Sequence, residues 1–98
     1  MKYLLILRGE GEPCPGRDDF ERIACDAGEL VGGELLADPQ LAVHVPDRAA
    51  PTPIDAYYLI DVESRERAVE LARLLPDART VGRSVEVRAV MHSTAVDF

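Results

Sequence analysis

The residues best able to do chemistry are few and scattered. His44 is the only histidine inside a predicted strand, Leu41 to Val45, where Leu, Ala, Val, His and Val alternate. Histidine suits general-base work near neutral pH, although on an edge strand an exposed, idle imidazole is the plainer reading. Glu86 and Arg88 share one face of Ser84 to Val90, opposite Val85, Val87 and Ala89. If the apolar face meets helices, this carboxylate and guanidinium point into the space beyond the sheet, where each needs the other or a ligand. They either fix a subunit interface as an ion pair, or leave Arg88 to orient a ligand carboxylate. Tyr57 and Tyr58 point to opposite faces, so one joins the core and the other can bring its hydroxyl to a cavity. Tyr58 stands in the candidate ligand-binding set with His44, Glu86 and Arg88. Arg8, at the end of the first strand, is placed at the cavity mouth or in solvent, and His92 in the tail is read as a surface residue.

Other chemistries are set aside. Gly9 and Gly11 begin a glycine-rich stretch, but Cys14 occupies the third position of a GxGxxG pattern and Glu10 and Glu12 would repel phosphate. No HxH, HExxH or clustered Asp/His pattern suggests a metal, and no cofactor is expected. Ser64 is committed to capping a helix, and neither cysteine has a histidine neighbour in sequence, so nucleophilic catalysis lacks a set. Cys14 and Cys25 fit neither a CxxC pair nor a zinc knuckle and are read as two reduced thiols.

Six elements, four strands and two helices, must position these residues. Residues 2–8 hold five consecutive apolar positions, Tyr3 to Leu7, as in a central strand buried on both faces. Residues 9–16 are turn chemistry. A helix follows, with Asp18 as cap, Glu21 three positions on, and Phe20, Ile23, Ala24 and Ala27 as its apolar stripe. Gly28 is its stop. Residues 29–40 read as irregular, with Gly32-Gly33 breaking any element, and the second strand is assigned to Leu41–Val45. A proline-bearing loop, residues 46–53, leads to a third strand, Asp55 to Val62. Ser64 caps a second helix with the stripe Ala68, Leu71, Ala72 and Leu75, stopped by Pro76. The last strand is 84–90.

The order β-α-β-β-α-β in 98 residues makes one α+β domain, 1–98, with a four-stranded antiparallel sheet and two helices on one face. Two narrow helical stripes cover only that face. Yet Leu4 and Ile6 oppose Tyr3, Leu5 and Leu7, and Tyr57 and Leu59 oppose Tyr58 and Ile60. A solvated face would be polar at those places, so a second copy, sheet against sheet, is the simplest cover.

Composition narrows the partners. Net charge is −7, with 18 acids against 11 bases, which opposes nucleic-acid binding. Residues 1–63 carry 13 acids and 5 bases, whereas 64–98 carry 5 acids and 6 bases, so the second half can meet a small anion. The apolar start, Met1 to Leu7, is too short for a signal peptide or a membrane span, and a cytoplasmic protein with no membrane contact is expected.

Met1 to Leu7, Ala27 to Leu35, Ala56 to Val62, Glu66 to Pro76 and Val85 to Val90 together resemble, in order, segments of the YCII-related family in its DGPF-type branch. The resemblance implies a ferredoxin-like βαββαβ domain forming a dimeric α+β barrel whose facing sheets enclose a cavity. It also implies a range of roles: relatives include enzymes of aromatic-compound breakdown and members encoded beside alternative sigma factors. The Asp-Gly-Pro-Phe signature is missing; Asp47 to Pro53 fills its loop. The enzymatic relatives' His–Asp pair has no counterpart, since helix 1 has no histidine and Leu75 precedes Pro76. The reading that follows is a homodimer binding a small organic molecule, anionic or neutral, between its sheets. The alternatives are a weak lyase or isomerase using His44 or a tyrosine, and a regulatory or protein-interaction accessory.

Overall fold

The computed structural model describes residues 1–48 and 52–94. Four strands, β1 (Lys2–Gly9), β2 (Leu30–Leu35), β3 (Ile54–Asp61) and β4 (Arg83–Ala89), alternate with two helices, α1 (Asp18–Asp26) and α2 (Arg65–Arg73). Short 3-10 turns cover Pro39–Leu41 and Pro76–Ala78. The sheet order is β2-β3-β1-β4 with every neighbouring pair antiparallel. This is an α+β architecture compatible with a ferredoxin-like domain.

The apolar run in β1 reflects its place: it is flanked by β3 and β4, with Leu5 and Leu7 fully buried. On the helix-covered face, Tyr3, Leu5 and Leu7 of β1 and Ala56, Tyr58 and Ile60 of β3 meet Phe20 and Ala24 of α1 and Ala68, Leu71 and Ala72 of α2. Fully burying a leucine or phenylalanine contributes about 1.5–3 kcal/mol, so this layer dominates stability. Ser64 caps α2 as expected, its hydroxyl accepting from the Arg67 N–H at 3.1 Å. Gly28, at φ +71°, supplies the left-handed turn after α1. The start of α1 differs from the expected capping box: Arg17 is the N-cap, with no side-chain cap, and Asp18 is already helical. Asp18, Asp19 and Glu21 instead sit in the first turn, where negative charge favours the helix dipole.

The second strand lies elsewhere than the alternation suggested. Leu41 to Val45 is not a strand; its alternating Leu41, Val43 and Val45 are exposed and pair with no strand among the described residues. Leu30–Leu35 takes that place, registering Leu30 with Ile60 and Gly33 with Tyr58. The glycines that looked like breakers permit the pairing. A Cβ on Gly33 would stand 2.6 Å from the Tyr58 ring and 2.7 Å from the Tyr57 carbonyl, so only glycine admits this close approach.

Cross-strand partners share a face, and the register places Leu4 between Leu59 and Arg88, and Ile6 between Tyr57 and Glu86. These residues form the second face of the sheet. Among the described residues no helix covers it. Ile6 is buried there by its neighbours, while Leu4, Tyr57 and Leu59 remain half-buried.

Candidate functional site

On the open face the side chains of Arg8, Glu86 and Arg88 converge. Arg8 ends the apolar stretch of β1 and lies across from Ser84 of β4; Glu86 lies across from Ile6, and Arg88 from Leu4. Arg8 Nε donates to Glu86 Oε1 at 3.0 Å, and Arg88 Nη2 pairs with Glu86 Oε2. Partial desolvation acts to raise the Glu86 pKa, but the hydrogen bonds from Arg8 and Arg88 outweigh it and hold the carboxyl below its usual range. One carboxylate between two guanidiniums leaves a local excess of one positive charge in a chain of net charge −7.

A cleft of about 520 Å³ opens at the Arg8 end of this face. Its walls are Leu36, Leu41, Pro53 and Ile54, with Arg8, Asp38 and His44 as its ionisable groups. The Asp38 carboxylate is engaged in capping the 3-10 turn, accepting from the Gln40 N–H at 2.9 Å. Arg8 Nη1 reaches the Thr52 carbonyl only at 3.5 Å, and Nη2 has no acceptor among the described residues. His44 is exposed on the segment that follows the 3-10 turn, not on an edge strand, and that segment carries it to the cleft.

The four sequence-derived candidates therefore do not form one constellation. Glu86 and Arg88 are joined on the open face, and His44 stands by the cleft at one end. Arg88 does not line that cleft; Arg8 does. Tyr58 lies on the opposite, helix-covered face. Its ring tilts against Phe20 at 4.7 Å between centroids, and its hydroxyl donates to Glu21 Oε2 at 2.5 Å. Burial first, and the Glu21 hydrogen bond second, push the phenol's pKa well above its ordinary value, so the hydroxyl keeps its proton into strongly alkaline solution. Tyr57 is the tyrosine on the open face.

Sequence reasoning missed a buried ionic quartet on the helix side. Arg17 Nε and Nη2 grip Asp77 at 3.0 and 2.7 Å, and the same Nη2 reaches Asp55 at 3.2 Å. Arg83 Nε meets Asp77 at 2.9 Å while its Nη2 pairs with Asp55. Asp77 is fully buried. Desolvation alone would raise its pKa, but hydrogen bonds from Arg17 and Arg83 prevail and hold it below the usual range. Asp55 joins through a bulge: Leu7 pairs with Ala56 and Arg8 with Ile54, leaving Asp55 as the extra residue of β3. Two cations and two anions close on one another, and no buried side-chain polar atom among the described residues lacks a partner. The quartet clamps the approach to α1, β3, the turn after α2 and β4. Apart from Asp77 and Arg83, six positions apart, its members lie far from one another in sequence, so no spacing motif could announce them.

Asp55 also borders a second cleft, of about 600 Å³, whose other ionisable groups are Glu10, Glu12 and Asp38. Cys14 and Cys25 are free thiols. No described group of three or more His, Cys, Asp or Glu is placed to hold a metal, and no described helix is long and apolar enough to cross a membrane. Neither the models of known protein families nor the curated proteins match this sequence.

Proposed function

We propose that the protein works as a homodimer, packed sheet against sheet through the face of Leu4, Ile6, Tyr57 and Leu59, and binds a small organic molecule between the two sheets. The observation that carries this reading is the uncovered apolar centre of that face, Leu4 and Ile6 on β1 beside Tyr57 and Leu59 on β3. A sheet face meant for water would alternate to polar residues there. Glu86 and Arg88, at the side on β4, are paired with each other and with Arg8 of β1, so this cluster does not oppose association. A second copy presents the same mixture and is self-complementary. The arrangement agrees with the dimeric α+β barrel implied by the resemblance to the YCII-related family, whose sheets face each other in that way. The excess positive charge at Arg8, Glu86 and Arg88 favours an anionic ligand.

Light scattering on the full chain tests the assembly. A dimer at micromolar concentration is expected, and Leu59→Glu, which puts a charge at the centre of the face, should yield a monomer with an unchanged far-UV circular dichroism spectrum. A wild-type monomer at that concentration would refute the reading.

A further inference from the structure

We infer that the cleft at the Arg8 end of the open face is a binding site for a small organic carboxylate with an apolar body, Arg8 being the residue that recognises the carboxylate. The inference deepens the ligand-binding reading above and rests on it for the site's place in the assembly, but every wall of the cleft belongs to one chain. The volume, about 520 Å³, is in the range of small-molecule sites, which are apolar with a few placed polar groups. Here the apolar part is Leu36, Leu41, Pro53 and Ile54.

The polar part selects for negative charge. Asp38 keeps its charge but turns one oxygen to the Gln40 N–H of its own turn at 2.9 Å, so Arg8 is the cation of the site. Arg8 is held by one edge, Nε to Glu86 at 3.0 Å, which fixes the guanidinium plane and leaves Nη2 without an acceptor among the described residues. Glu86 cannot neutralise it fully, because Arg88 claims the other carboxylate oxygen. A guanidinium so oriented, with N–H groups still to satisfy, matches a carboxylate better than any neutral group. His44, exposed at the same cleft, can add an N–H donor. The neighbouring cleft of about 600 Å³ shares Asp38, adds Glu10 and Glu12 and lacks Arg8, so it is the more negative of the two and disfavours the same ligand. The cleft thus assigns carboxylate recognition to Arg8 rather than to Arg88, which lies farther along the face.

Benzoate and its uncharged isostere benzamide are suitable probes, followed by amide and side-chain NMR shifts on the full-length protein. Benzoate should bind with a Kd of about 1 mM, ordinary for a ligand so small, and should shift the signals of Arg8, Leu36, His44 and Ile54. Benzamide should bind at least about tenfold more weakly. Arg8→Gln should abolish the preference for benzoate while Arg88→Gln retains it. Equal affinity for the two probes in the wild type would overturn the inference without recourse to any variant, as would shifts confined to Glu10 and Glu12, or no saturable shift. Light scattering on the same samples separates the two proposals. A dimer that ignores benzoate defeats only the carboxylate site, and a monomer that binds it in this cleft defeats only the sheet-to-sheet assembly.

Discussion

At the scale of single residues, the buried quartet and the Tyr58 hydroxyl carry the sharpest consequences. Asp77 is fully buried between Arg17 and Arg83. Removing its charge leaves two guanidiniums facing only Asp55, and breaking a buried pair from one side typically costs about 3–5 kcal/mol. Asp77→Asn should therefore lower the unfolding free energy by about that amount in a urea titration. The pH dependence follows from the depressed pKa. The contribution is fully present above the ordinary value of 3.8 and disappears as pH falls through the lower value of the folded state. The acid limb of the wild-type stability curve should flatten in the variant. Tyr58 behaves in the opposite sense, because its pKa is raised on folding. Its contribution is full below the ordinary 10.0 and is lost as pH climbs toward the raised value. Spectrophotometric titration should find one of the three tyrosines ionising late, and Tyr58→Phe should remove that late phase while leaving the fold intact. None of this could be read from the chain. Arg17, Asp55, Asp77 and Arg83 carry no mutual spacing, and a serviceable tyrosine looks the same in sequence whichever face it occupies. The pairing Glu86 with Arg88 was legible, because two residues at i and i+2 of a strand share a face wherever that strand lies.

At the scale of elements, local chemistry was decisive for α2 and misleading for β2. Ser64, the Ala68–Leu71–Ala72–Leu75 stripe and Pro76 act within a few residues of one another, and the helix forms where they place it. Leu41–Val45 has strand alternation but finds no partner among the described residues, whereas Leu30–Leu35, interrupted by two glycines, pairs with β3 along its length. Strand formation requires a neighbour, and the neighbour here demands a residue without a side chain opposite Tyr58. Gly33→Ala should destabilise the protein by about 1–3 kcal/mol, since the new methyl meets both a packed ring and a main-chain carbonyl. Gly32→Ala meets nothing within 4 Å and should stay within about 0.5 kcal/mol of wild type. Thermal unfolding of the pair checks both outcomes, and equal losses would contradict the proposed close approach of β2 and β3.

At the scale of the whole molecule, the unequal cover of the two sheet faces governs the behaviour. If a second copy supplies the missing cover, the wild-type melting temperature should rise with protein concentration, because association stabilises only the folded state. Leu59→Glu should melt at a concentration-independent temperature. The sequence by itself determined the α+β class, that two helices cover one sheet face, and that both faces are apolar, because each follows from periodicity within a single element: two for strands, 3.6 for helices. Only the tertiary structure decided which segment became the edge strand, which tyrosine faced which side, that Arg8 rather than Arg88 borders the cleft, and that four distant charges close into a buried clamp. Those are matters of pairing between remote parts of the chain. They depend on register and on the fit of one surface to another, and neither is written in the spacing of neighbouring residues.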